Sequence, residues 1–163
     1  MTESQTIQSS GAVTELLQLV SFKIGDEEFG VDILKVQEII RMLEITQVPN
    51  TPPYVDGVIN LRGKVIPIVD LRSRFGMERR DHDRNSRIVV VELNGKIIGF
   101  VVDSVNEVLR IPKNVTEPPP ALVADIDTKY IKAVGKLDDR LLILLDLEML
   151  LLDDLHDQIK QAA

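Results

Sequence analysis

The sequence predicts an all-β protein with short helices and one longer helix at its C-terminal end. Short apolar stretches recur along the chain between clusters of turn residues, which is the pattern of β-strands. Asn94-Gly95 stands between two of these stretches, and this dipeptide favours a two-residue hairpin turn because both of its residues adopt positive φ. In addition, the first half of the chain resembles the second. We therefore expect two copies of one β-rich unit.

Two shifts of the sequence reveal the repeat. A shift of 69 residues lays residues 25–41 over residues 94–110, and a shift of 76 residues lays residues 65–71 over residues 141–147. The first shift matches these identical residues: Gly30 with Gly99, Val36 with Val105, Glu38 with Glu107, and Arg41 with Arg110. A unit of about seventy residues buries little apolar surface alone. We expect the copies to pack together, and a seam between them is a common place for a binding site.

The N-terminal part contains two predicted strands and one ambiguous segment. Residues 1–14 are mostly polar and predict an unstructured tail. Residues 16–24 alternate in polarity as a strand does, and after a turn the chain returns over residues 28–31. Residues 32–40 carry apolar side chains at helical spacing, with Asp32 as the N-cap, but an extended segment fits them equally well.

The centre of the chain predicts a hairpin followed by a short helix. The prolines of residues 49–53 exclude regular structure there. Two apolar stretches then flank a polar tip at residues 60–64, so we expect two strands joined by a turn. A short helix is expected over residues 71–75, with Gly76 at its end. Residues 78–87 mix charges of both signs and predict an exposed connector.

The second half predicts two further hairpins and the C-terminal helix. The first of these hairpins spans residues 87–103 around its Asn-Gly dipeptide. The prolines of residues 117–120 predict a loop, and the second hairpin follows over residues 130–146. Residues 147–160 carry an apolar stripe at helical spacing and predict a helix.

The composition argues against several classes of protein. Apolar residues make up 44% of the 163 residues, which is enough for a core. A net charge of −7 argues against binding to nucleic acid, because a duplex is bound through a basic surface. The chain has no cysteine, which excludes disulfides and thiolate metal ligands, and its N-terminal residues lack the apolar stretch of a signal peptide. We expect a cytoplasmic protein that does not insert into a membrane.

Metal binding has little support in the sequence. The two histidines are His82 and His156, and the run Asp81-His82-Asp83 lies in the predicted exposed connector. A tight metal site needs three or four converging ligands, and neighbouring residues of an extended loop need not converge. We expect no metal site and no cofactor.

Four aspartates follow strand-like stretches: Asp32, Asp70, Asp103 and Asp146. An aspartate in this position is an ordinary helix N-cap, and the recurrence of Asp70 as Asp146 in the second copy favours that structural role. The alternative is an enzyme that uses a pair of carboxylates as acid and base. It predicts that Asp70 and Asp103 converge in a pocket and that both have raised pKa values. We expect no catalytic residue.

A docking surface is the remaining candidate for function. Exposed apolar side chains next to a few charges are typical of protein interfaces. Residues 33–41 offer Val36 and Ile39 with Glu38 between them, and the hairpin tip offers Arg62, which could pair with that glutamate. The alternative is that Val36 belongs to the core and that Arg62 is a solvated turn residue.

Three stretches of the sequence resemble the CheW family of bacterial chemotaxis coupling proteins. They are IGDEEFGVDILKVQEIIR at 24–41, VPNTPPYVDGVINLRGKVIPIVDLRSRFG at 48–76 and GFVVDSVNEVL at 99–109. The resemblance extends over residues 16–152, and the NLRG tip followed by VIPIVDLR is its most specific part. It implies two linked, five-stranded, partly open barrels packed on each other. It also implies a protein that is not an enzyme.

The resemblance leads to a division of the chain into barrels. We expect the CheW-like domain at residues 15–152, with the first barrel over about 25–84 and the second over about 85–146. The strand at residues 16–24 is a candidate for sharing between the two barrels. The C-terminal helix then covers residues 147–160.

The resemblance also implies two protein partners. Members of this family connect transmembrane chemoreceptors to the histidine kinase CheA, by docking on the cytoplasmic tip of the receptors and on the regulatory domain of the kinase. Receptor arrays would then recruit the protein to the inner face of the membrane. An adaptor of another chemosensory system, such as one for surface motility, is an alternative that the sequence leaves open.

The family's docking residues can be carried over onto matching positions of this chain. The receptor groove lies between the barrels and implicates Val36, Glu38, Ile39, Arg62, Val105 and Val108. Kinase contacts are carried over to Val65 and to the loop around Leu122. That loop departs from the family, because Glu117 and Leu122 stand where a basic and an aromatic residue are common. Structural roles in turns are expected for Asn60, Gly63, Asn94 and Gly95.

Overall fold

The computed structural model describes residues 15–51, 55–119 and 128–152, in which β-strands dominate. The strands are β1 (Leu16–Ile24), β2 (Glu27–Asp32), β3 (Val36–Arg41), β4 (Val55–Leu61), β5 (Lys64–Asp70), β6 (Arg87–Leu93), β7 (Lys96–Val102), β8 (Ser104–Pro112), β9 (Thr116–Glu117), β10 (Ile131–Lys136) and β11 (Leu141–Leu145). The helix α1 spans Leu71–Arg74, and single helical turns lie at Ile33–Lys35, Lys113–Val115, Thr128–Tyr130 and Glu148–Leu152. No helix in these ranges is long and apolar enough to cross a membrane.

The strands form two sheets, which confirms the predicted all-β class. The six-stranded sheet has the order β8-β1-β2-β11-β10-β9, and the five-stranded sheet has the order β3-β6-β7-β5-β4. Neighbouring strands are antiparallel, except that β2 pairs in parallel with β11 and β5 pairs in parallel with β7. The two parallel pairings join equivalent strands of the repeat, so the two sheets are built in the same way, as the internal repeat predicts.

The predicted division into barrels at residues 84 and 85 is wrong in one respect. Strands β6 and β7 follow that boundary but lie in the five-stranded sheet with β3, β4 and β5, while β1 and β2 lie in the six-stranded sheet. The first two strands of each copy therefore lie in the sheet that is formed by the last strands of the other copy. Strands β1 and β7 also lie against each other between the sheets. Each of these two strands is therefore covered on the face that points to the other sheet as well as within its own sheet.

In each copy of the repeat, the segment that follows the third strand (β3 or β8) closes a barrel. In the five-stranded sheet, Thr46 and Val58 exchange two backbone hydrogen bonds of 2.8 Å and connect the chain after β3 to β4. In the six-stranded sheet, Thr116 of β9 pairs with Gly135 of β10. The closing contacts are short, which agrees with the expected partly open barrels.

Three apolar clusters account for the near-continuous apolar strands. In β6, Val89 and Val91 join a large cluster that lies between the sheets. The alternate side chains of Ile88 and Val90 join a second cluster inside the five-stranded sheet. The third cluster lies inside the six-stranded sheet around Leu142. A strand that is covered on both faces needs apolar residues at every position, which explains why these strands do not alternate in polarity.

The ambiguous segment at residues 32–40 is mostly extended. The carboxylate of Asp32 accepts a hydrogen bond of 2.9 Å from the backbone N–H of Leu34 and caps a single turn. From Val36 the chain becomes β3, because pairing with β6 provides hydrogen bonds for its backbone. The N-cap was therefore predicted correctly, and of the two alternatives for the rest of the segment the extended one is right from Val36 onward.

The other helices differ in how far they were predicted. The helix α1 begins after Asp70, whose carboxylate accepts from the backbone N–H of Arg72, and Gly76 follows it with a φ of 77°. The structure describes one turn of the predicted C-terminal helix, at Glu148–Leu152. The rest of that helix and the predicted tail at 1–14 lie outside the described residues.

Candidate functional site

The tip of the β4–β5 hairpin is a two-residue turn made by Arg62 and Gly63. Both residues have positive φ, 52° and 85°, which is the conformation that a tight hairpin turn requires. The side-chain oxygen of Asn60 accepts a hydrogen bond of 2.9 Å from the backbone N–H of Gly63. The turn therefore holds Arg62 at the outermost point of the hairpin. The β6–β7 turn is built in the same way, with Asn94 and Gly95 at 51° and 81°.

Arg62 pairs with Glu38, as the sequence suggested. The guanidinium Nη2 of Arg62 donates to Oε2 of Glu38, which connects the tip of the hairpin to β3. The Arg62 side chain is 68% exposed, whereas Glu38 is half-buried. The hydrogen bond to Glu38 and the negative charge of that residue raise the pKa of Arg62 above its ordinary value. Arg62 is thus a permanently charged and accessible group.

A small cavity of about 200 Å³ lies beside this pair. Its apolar lining comes from Leu61, Ile66 and Ile97, and its polar lining includes Gln37 and Lys64. The arrangement combines an apolar recess with an accessible cation and a carboxylate. Such a combination can receive an apolar side chain and a neighbouring charged group of another protein.

The apolar receptor candidates divide into buried and exposed residues. Val36 on β3 and Val105 on β8 are partly buried against the cluster between the sheets. The interpretation of Val36 as a core residue is therefore partly right. Ile39 and Val108 remain exposed on the same two strands. Strands β3 and β8 each lie at one end of their sheet, and among the described residues no further strand pairs with their outer edges.

The kinase candidates are less completely described. Val65 is the second residue of β5, next to the hairpin tip, and it is 70% exposed. Leu122 lies outside the described residues. Glu117, at the start of the altered loop, forms a salt bridge of 3.0 Å with Lys136.

The carboxylates do not form the acid–base pair that the enzyme hypothesis requires. Burial and the nearby charge of Asp56 raise the pKa of Asp70. Burial also raises the pKa of Asp103, but hydrogen bonds from Arg72 and from the backbone of Gly25 outweigh it and lower that pKa below its ordinary value. The hypothesis predicted raised pKa values for both groups, and Asp103 contradicts it.

The histidine of the connector does not gather metal ligands. The ring Nε2 of His82 lies 3.8 Å from Oδ2 of the buried Asp56. Within 15–51, 55–119 and 128–152, no group of three or more histidine, aspartate or glutamate side chains is arranged to hold a metal ion. His156 lies outside those ranges.

Sequence reasoning missed a second charged cluster, which surrounds Arg140. Its guanidinium lies 2.6 Å from Glu28, 3.0 Å from Asp139 and 3.5 Å from Glu107. The available signal was Glu107, which the repeat aligns with Glu38. A glutamate shared by both copies was a reason to search for a cation near each of them.

Comparisons with known proteins agree with the fold. A family model described as the CheW-like domain matches residues 18–154. The chain is 38% identical over 146 residues to the chemotaxis protein CheW of Klebsiella aerogenes, covering 90% of this chain and 88% of that protein. It is 39% identical over 140 residues to the chemotaxis protein CheW of Helicobacter pylori, covering 86% and 84%.

A solved structure is also similar. The crystal structure of the scaffolding protein TtCheW from Thermoanaerobacter tengcongensis superposes with a TM-score of 0.79 and 40% sequence identity. The match covers 85% of this chain and 94% of that one.

Proposed function

This chain belongs to the CheW-like family of chemotaxis scaffolds, and from that membership we propose that it couples transmembrane chemoreceptors to the histidine kinase CheA. In this role it acts as an adaptor and not as an enzyme. It lies in the cytoplasm and is held at the inner face of the membrane by receptor arrays. By binding a receptor and a kinase, it brings the kinase under receptor control.

The observation that carries the receptor part of the proposal is the accessible pair of Arg62 and Glu38 beside an apolar recess. An exposed ion pair contributes little to stability, so its two charges are available to select a partner. The edges of β3 and β8 add the exposed side chains of Ile39 and Val108. A receptor tip that presents apolar residues next to charged ones is the expected ligand of this surface.

Val65 supports a separate contact with the kinase. A valine that is 70% exposed on a strand contributes little to the core, and an apolar side chain at this position favours a protein contact. We assign the regulatory domain of CheA to this surface. The loop around Leu122 is the candidate for a second kinase contact. Its departure from the family pattern leaves two alternatives: this chain lacks that contact, or the kinase of the same organism carries a matched change.

Calorimetric titration tests the coupling role directly. The purified full chain is titrated with the regulatory domain of the CheA encoded in the same genome, and then with a receptor tip fragment in the presence of that domain. We expect saturable one-to-one binding in the micromolar range, which corresponds to about −8 kcal/mol. The receptor fragment is expected to bind the preformed complex. A folded sample that binds neither partner contradicts the proposal and directs attention to another chemosensory system.

A further inference from the structure

The second copy of the repeat has its own charged hairpin tip. Arg140 stands at the end of the turn between β10 and β11, and its Nη2 lies 3.5 Å from Oε2 of Glu107 on β8. The repeat aligns Glu107 with Glu38, and it aligns Arg140 with Lys64, two residues beyond Arg62. Each copy thus brings a cation from its last hairpin to the equivalent glutamate of its third strand.

Exposed apolar side chains recur around the two tips as well. Ile39 in the first copy corresponds to Val108 in the second, and both are exposed. Val65 corresponds to Leu141, and these two are 70% and 59% exposed. The surface of the second tip therefore repeats the apolar and the charged parts of the first.

The two tips differ in the residues beneath them. Under Arg140 lie Glu28 and Ser21, which are both buried, and the hydroxyl of Ser21 donates to the carboxylate of Glu28. The repeat aligns Glu28 with Ile97 and Ser21 with Val90, and these two residues lie in the five-stranded sheet that carries the first tip. Ile97 lines the cavity beside Arg62. The first tip therefore has an apolar floor, whereas the second has a buried negative charge.

This charge draws Arg140 inward. The Nε of Arg140 donates to Oε1 of Glu28 at 2.6 Å, and its side chain is only 36% exposed, compared with 68% for Arg62. Burial raises the pKa of Glu28, but hydrogen bonds from Ser21, Arg140 and Asn106 outweigh it and lower that pKa below its ordinary value. A buried carboxylate that loses its cation is left uncompensated, so Arg140 cannot be released to a partner without a large cost.

We propose that Glu28, supported by Ser21, is the specificity-determining residue that restricts the charged contact with the receptor to Arg62. It does so by withdrawing Arg140 from the equivalent surface of the second copy. Arg62 can exchange Glu38 for a carboxylate of the receptor, because Glu38 is itself partly exposed to water and is not left buried without its cation. The inference rests on the proposed receptor coupling, to which both copies contribute apolar residues, and adds a reason why only one of the two charged tips pairs with the receptor.

Arginine modification by phenylglyoxal tests this assignment, with mass spectrometry of peptides to measure the rate at each arginine. Two proteins are compared: the full natural chain and the double variant S21V/E28I. The variant gives the second tip the same apolar floor as the first. Each protein is modified with and without a receptor tip fragment. In the natural chain we expect Arg62 to react faster than Arg140, and the fragment to slow Arg62 alone. In the double variant we expect Arg140 to react as fast as Arg62, and the fragment to slow both.

Several results would overturn the proposal. Equal rates for Arg62 and Arg140 in the natural chain would show that Glu28 does not withdraw Arg140. If Arg140 reacts faster in the variant but the fragment does not protect it, Glu28 does not determine which arginine pairs with the receptor. If the double variant does not fold, E28Q removes the charge while keeping the size of the side chain, and the same increases in rate and protection at Arg140 are expected of it.

Failure of the underlying receptor coupling gives a different pattern. In that case the fragment protects neither arginine of the natural chain, which contradicts docking on either tip. The difference in rate between Arg62 and Arg140 is measured without the fragment, so it still tests whether Glu28 withdraws Arg140. The two failures are therefore distinguishable in one set of samples.

Discussion

The carboxylate of Asp103 holds the guanidinium of Arg72 by two hydrogen bonds, 2.7 Å to Nη2 and 3.2 Å to Nε. The same carboxylate accepts a hydrogen bond of 2.8 Å from the backbone N–H of Gly25. Asp103 follows β7 in the second copy of the repeat, while α1 and the β1–β2 turn belong to the first. This mostly buried pair therefore connects the two copies at the point where they exchange strands.

Substitution of Asp103 by asparagine is expected to lower the free energy of unfolding by about 3 kcal/mol, because it leaves Arg72 partly buried without its carboxylate. The pKa of Asp103 is lower in the fold than its ordinary value of 3.8. The stabilisation is therefore complete above about that pH and is lost as the pH falls through the folded-state pKa. Urea unfolding of the natural chain and of D103N across this range checks the prediction. A difference in stability that stays constant into acid would contradict it.

Substitution of Arg62 by alanine is expected to weaken receptor binding by about tenfold or more, since a charged residue at the centre of an interface often contributes this much. The fold should be unaffected because the side chain is largely exposed. Arg84→Ala, in the exposed connector, is the matched control for loss of one positive charge. The measurements are calorimetric titration with a receptor tip fragment and a thermal melt. Equal affinities of R62A and R84A would exclude Arg62 from the receptor site.

The kinase surface can be tested by placing a charge at Val65. We expect Val65→Glu to reduce affinity for the CheA regulatory domain by about tenfold or more, because the substitution buries a carboxylate in an apolar contact. Leu141→Glu is the control, since Leu141 occupies the equivalent repeat position and is similarly exposed. Both variants should melt as the natural chain does. The assignment fails if L141E weakens kinase binding as much as V65E does.

Gly57 is expected to be essential for closing the five-stranded barrel. A Cβ atom at this position would lie 2.1 Å from the backbone oxygen of Thr46, and the φ of Gly57 is 146°. Gly57→Ala should therefore break the Thr46–Val58 bridge and lower the free energy of unfolding by about 3 kcal/mol or more.

Gly63→Ala provides the comparison for Gly57. It meets the same kind of backbone restriction at a φ of 85°, but nothing lies within 4 Å of the added methyl group. Its expected cost is about 1–2 kcal/mol, from the left-handed conformation alone. Chemical unfolding of both variants measures the difference, and similar losses of stability would show that the contact with Thr46 is unimportant.

Local features of this protein followed from the sequence because they depend on residues that are near one another in the chain. The Asn94-Gly95 turn needs two residues that accept positive φ, and the capping by Asp32 and Asp70 needs a carboxylate two residues before the N–H that it accepts from. The pair of Glu38 and Arg62 was also anticipated. That expectation came from the opposite charges of two residues near the predicted seam, and the family resemblance then assigned both to the receptor groove.

The tertiary structure decided which strands pair and which charges remain accessible. Apolar strands such as β1 and β6 carry similar patterns, so the sequence did not distinguish a sheet built within one copy from one that exchanges strands between copies. The helical spacing of residues 32–40 was overridden because β6 offers β3 a ladder of backbone hydrogen bonds. The sequence by itself determined the turns and caps, which depend on short-range interactions, and the two-copy organisation, which is visible as a repeat of similar residues. The strand exchange and the different fates of Arg62 and Arg140 required the fold, because they depend on buried contacts between residues that are distant in the chain.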